Sequence, residues 1–85
     1  MKIEISAQTV LSLTPMKQRG AHILMRAMNE DQKTWTTALH IVKETLEESG
    51  CRSTEVRLGV QGAMETLYLE GFINEFDLEE TFQYG

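Results

Sequence analysis

Cys51, His22 and His40 are the residues from which a nucleophile and its base could be assembled. A thiol attacks only as the thiolate, which needs an imidazole or a cation beside it. No spacing in this chain brings the three together, so Cys51 is read as a small residue at a helix end. His40 and Glu44 stand four apart, a separation that puts both on one helix face as a surface pair. A zinc site needs three or four ligands, and no others stand at matching spacing. Glu47 and Glu48 are adjacent and point to different sides of a helix, which rules them out as an acid–base dyad. These residues predict no catalytic group, no metal and no cofactor, and the chain is expected not to be an enzyme.

A reading chemistry is better represented. Arg52, Ser53, Thr54, Arg57 and Gln61 fall in the first two turns of a helix if one begins near Ser53. That part of a recognition helix enters the major groove, where Arg can bond guanine and Gln can bond adenine. Lys17, Arg19, Lys33 and Lys43 are then candidates for phosphate contacts. Residue by residue, the alternative is a solvated polar face with Ser53 as a cap. The glycines at 59 and 62 have the spacing of the nucleic-acid-clamping loop of KH domains. Glu65 occupies the position where that loop needs an apolar residue, and the loop holds no cation, so this reading is set aside.

Charge is unevenly divided. The net charge is -5; all eight Lys and Arg lie at or before Arg57, with seven carboxylates among them, and six carboxylates without a single cation follow it. Glu75, Phe76, Asp77, Glu79, Glu80, Phe82 and Tyr84 describe an aromatic patch rimmed by acids. Such a surface fits a basic protein partner or a second copy of the chain in a homodimer, and it repels phosphates. Its rings could equally cover the core, as Trp35 is expected to do between two helices.

The elements that must position these residues follow from the apolar pattern. Residues 2–6 alternate around Ile3 and Ile5 and read as a short edge strand, after which Ser6 caps a helical turn reaching Leu13. Thr14-Pro15 starts a helix of about four turns with Met16, Gly20, Ile23, Leu24, Ala27 and Met28 on one stripe. Thr36 or Thr37 caps the next, which buries Leu39, Val42 and Leu46 and stops at Ser49-Gly50. Another lies within residues 53–70, burying Val56, Val60, Ala63, Met64 and Leu67 and ending at Gly71. Gly59 and Gly62 weaken that helix by about 1 kcal/mol each; either they permit a close crossing or the helix begins after Leu58. Residues 72–84, with Ile73, Phe76, Leu78, Phe82 and Tyr84 around a polar centre, read as a β-hairpin.

Three helices followed by a hairpin resemble the winged helix-turn-helix superfamily. The stretch V60-Q-G-A-M-E-T-L-Y-L-E-G-F-I73 is similar to a recognition helix running into a wing. T14-P-M-K-Q-R-G-A-H-I-L-M-R-A-M28 resembles the first helix of such domains in phage or plasmid replication and regulatory proteins. The resemblance implies an α+β, mostly α fold with a winged-helix-like three-helix core. It also implies a DNA-binding role in transcription or replication, through Arg52, Ser53, Thr54, Arg57, Gln61 and Lys43. Two departures stand beside it: Glu65, Glu70, Asp77, Glu79 and Glu80 occupy places that are usually basic, and residues 51–57 form a longer connection than the tight turn of that superfamily.

At 85 residues the chain is sized for one domain, 1–85. No apolar run is long enough for a membrane span and no signal peptide is seen, which points to a cytoplasmic protein. The expected function is a small DNA-associated regulator; the alternative is a protein-binding inhibitor or adaptor that acts through the acidic C-terminal segment.

Overall fold

The computed structural model describes residues 4–74, and these fold into four helices: α1 (Ala7–Leu11), α2 (Pro15–Asn29), α3 (Trp35–Glu48) and α4 (Ser53–Leu69). There is no strand among the described residues, so over these residues the α+β expectation is corrected to all-α. Of the expected hairpin, residues 72–73 form a bend with Ile73 buried and residue 74 has no regular structure; the remainder lies outside the described residues. None of the helices is long and apolar enough to cross a membrane.

Local chemistry sets each boundary. Ser6 Oγ accepts the Gln8 N–H at 3.2 Å and opens α1. Pro15 occupies the first turn of α2, where its missing N–H costs nothing. Thr14 stands at the cap of α2 but makes no capping hydrogen bond with its side chain. For α3 the cap is Thr34, whose Oγ1 accepts the Thr37 N–H, and neither Thr36 nor Thr37 fills that role. Two glycines in the left-handed region, Gly50 (φ 83°) and Gly71 (φ 86°), terminate α3 and α4. At each end the next two N–H groups turn back onto orphan carbonyls: Gly50 to Glu47 and Cys51 to Leu46, then Gly71 to Tyr68 and Phe72 to Leu67.

The expected strand fails for a specific reason. Ile5 is buried, but the Asn29 side chain takes both of its backbone groups: Ile5 N–H donates to Asn29 Oδ1 at 3.0 Å, and Asn29 Nδ2 donates to the Ile5 carbonyl at 3.1 Å. One turn on, Glu70 Oε1 accepts the Ser6 N–H and the Thr9 hydroxyl. The N-terminal segment is thus clasped to the ends of α2 and α4 by side chains, where a strand would need a neighbouring backbone.

The core lies between α2, α3 and α4. Leu24, Val42, Leu46, Ala63, Met64 and Leu67 are fully buried, joined by Val10 of α1 and by Ala27 and Ile73. Met16, Ile23, Leu39 and Val60 pack against this cluster half-buried, at its margin. Gly59 and Gly62 are both buried inside α4, which runs unbroken through them; they permit a close crossing with α2, and no loop is formed there. This also removes the clamping-loop reading of the two glycines.

Candidate nucleic-acid interface

The turn into α4 is short. Residues 49–52 alone separate α3 from α4, which corrects the expectation of a long connection through Arg57. The left-handed Gly50 reverses the chain, Cys51 tucks against the core half-buried, and Arg52 leaves extended with its backbone N–H donating to Glu55 Oε1 at 2.8 Å. That carboxylate both satisfies an orphan donor and places negative charge at the positive end of the helix.

From this start the helix phase sorts the side chains. Val56, Gly59, Ala63 and Leu67 face inward and are buried, while Arg52, Ser53, Thr54 and Arg57 are exposed. Gln61, one turn beyond Arg57, is half-buried. Thr54, Arg57, Leu58 and Gln61 follow a three- and four-residue rhythm and share one face. Leu58 is the member that sequence reasoning missed: it is 40% exposed on an otherwise polar face. Its phase relative to Thr54 and Gln61 was the available signal.

Charges over the rest of the described residues are mixed. Lys43 is exposed on α3, as are Arg19 on α2 and Lys33 before α3. Lys17, expected among the phosphate contacts, instead donates from Nζ to Glu65 Oε1 at 2.8 Å in a part-buried pair, so each neutralises the other. Glu70 is likewise engaged with the N-terminal segment. Glu44, Glu47 and Glu48 are exposed on the last turns of α3, immediately before the connection to α4. Residues 4–74 hold seven Lys and Arg against nine Asp and Glu, which leaves this part of the molecule close to balanced.

The other sequence candidates separate. His22 and His40 are exposed on different helices, and His40 is not hydrogen-bonded to Glu44. Cys51 is a free thiol, and no cluster of potential metal ligands occurs among the described residues. Trp35, half-buried, lines an open groove of about 580 Å³ with Met28, Lys33 and Phe72, at the far end of α3 from Arg52. Glu75, Phe76, Asp77, Glu79, Glu80, Phe82 and Tyr84 lie outside the described residues. Compared with protein-family models, curated proteins and solved structures, the chain gives no significant match.

Proposed function

We propose that the chain is a small, non-enzymatic DNA-associated regulator of transcription or replication that reads duplex DNA through the first two turns of α4. One observation carries this reading: a four-residue connection delivers α3 into a helix whose opening turns expose Arg52, Ser53, Thr54 and Arg57 on the side away from the core. In a helix-turn-helix, side chains at that place contact base edges, and Arg there can bond guanine N7 and O6 together. Lys43, exposed on the preceding helix, supplies a phosphate contact in this reading.

Fluorescence anisotropy with random and selected duplexes at low salt tests the reading. Arg57→Ala should cost about 1 to 3 kcal/mol on a selected site, and binding should weaken steeply as salt is added. If the folded protein at micromolar concentration binds no duplex, the reading is wrong.

The charge division favours a second reading. Four carboxylates, Glu75, Asp77, Glu79 and Glu80, and no cation follow residue 74, an arrangement that steers a basic protein toward the C-terminal segment. Capture experiments run with and without nuclease separate the two: a DNA-bridged association disappears on digestion, whereas a direct protein contact persists.

A further inference from the structure

Leu58 stands among polar residues, between Arg57 and Gln61 on the exposed face of α4, and 40% of it is open to solvent. It does not belong to the buried core cluster, whose α4 members are Val56, Ala63, Met64 and Leu67. On a face that meets base edges, an apolar side chain can neither donate nor accept a hydrogen bond. The major groove offers it one apolar counterpart, the C5 methyl of thymine. We propose that Leu58 is a specificity-determining residue that reads a thymine methyl, beside the hydrogen-bonding contacts of Arg57 and Gln61. This rests on the proposed reading of duplex DNA by α4. Thr54, Arg57, Leu58 and Gln61 recur at helical spacing, so a groove that admits Arg57 to one base step brings Leu58 to the same or the next step.

The test uses the full chain and a chemically defined change in the DNA. Duplexes are selected from a random library, and each thymine of the selected site is then replaced singly by uracil, which removes the methyl and leaves the pairing unchanged. At one position the replacement should weaken wild-type binding about fourfold, the effect of leaving one methyl group unburied. Leu58→Ala should bind the thymine duplex correspondingly more weakly and should not distinguish thymine from uracil at that position. Because the methyl is removed from the DNA, a folding defect in the variant cannot produce the wild-type result. If duplex binds but no thymine position shows this loss in wild type and its absence in the variant, the inference is overturned and the DNA reading stands. If no duplex binds, both fall together.

Discussion

Gly20 of α2 lies against the backbone of Gly59 on α4, so closely that a Cβ at position 20 would overlap the Gly59 carbonyl. The contact continues one turn along, where a Cβ at Gly62 would overlap the Lys17 carbonyl. The pairs 20 with 59 and 17 with 62 run in opposite senses, so α2 and α4 cross antiparallel, with Lys17 and Glu65 bonded at the next step. Glycine inside a helix costs about 1 kcal/mol relative to alanine. Here that cost admits a backbone-to-backbone contact that holds α4 in place.

The three glycines should therefore respond differently to alanine. Gly20→Ala and Gly62→Ala meet rigid backbone, and overpacking of this kind costs about 1 to 3 kcal/mol, at times more. Gly59→Ala meets chiefly Leu46 Cδ1, the end of a side chain that can move, so its cost should be smaller. Gly50→Ala meets no neighbouring atom and should cost about 1 to 2 kcal/mol, from its left-handed backbone alone. Urea unfolding of the series checks the order; equal losses for Gly20→Ala and Gly59→Ala would contradict the crossing.

Core truncation gives a second measure. Leu24 and Leu67 are fully buried on the two crossing helices, and Leu→Ala at either should cost about 2 to 5 kcal/mol. Leu69 is 59% exposed, two residues along the same helix from Leu67, and its truncation should stay within about 0.5 kcal/mol of wild type. Thermal unfolding followed by circular dichroism distinguishes them.

What could be read from the chain was what neighbouring residues decide. Pro15, Gly50 and Gly71 marked helix ends because their backbone preferences act locally, and the apolar stripe of each helix named most of the core. The phase of α4 likewise placed Arg52, Ser53, Thr54 and Arg57 outward. Long-range pairings decided the rest. The alternation at Ile3 and Ile5 implied a strand, but Ile5 finds its hydrogen bonds on Asn29, 24 residues away. Lys17 meets Glu65 across 48 residues, which no local pattern signals. Gly59 and Gly62 were ambiguous because a helix-weakening residue and a helix-crossing residue are the same residue until the partner helix is known.

The Asn29 clasp is itself testable. Asn29→Ala removes two part-buried hydrogen bonds at once and should cost about 1 to 3 kcal/mol. Asn29→Asp keeps the acceptor for Ile5 N–H but loses the donor to its carbonyl, so it should fall between wild type and Ala. Amide hydrogen exchange at Ile5 gives the local readout: protection should drop most in the Ala variant. Unchanged exchange there would show that burial of Ile5, and not the clasp, holds this segment.

The acidic end of α3 provides the last prediction. Glu47 and Glu48 are exposed in its final turn, and residues 49–52 are all that separate them from Ser53. If the opening of α4 lies in a major groove, these carboxylates approach the flanking phosphates. Two like charges roughly 10 Å apart in water repel by about 0.4 kcal/mol. Two carboxylates facing one or two phosphates should then oppose binding by about 1 kcal/mol, or roughly fivefold in affinity. Neutralising both in the double variant Glu47→Gln with Glu48→Gln should tighten duplex binding by that factor at low ionic strength. The gain should shrink as salt shortens the screening length toward about 3 Å at 1 M. Stability should rise slightly as well, because carboxylates at a helix C-terminus oppose its dipole by about 0.3 to 1 kcal/mol each. Titrations of wild type and the double variant across a salt series separate the effects, since added stability cannot produce a salt-dependent affinity. A duplex that binds both proteins equally at low salt would place these carboxylates away from phosphate, and the DNA contact would have to be sought on a surface other than the start of α4.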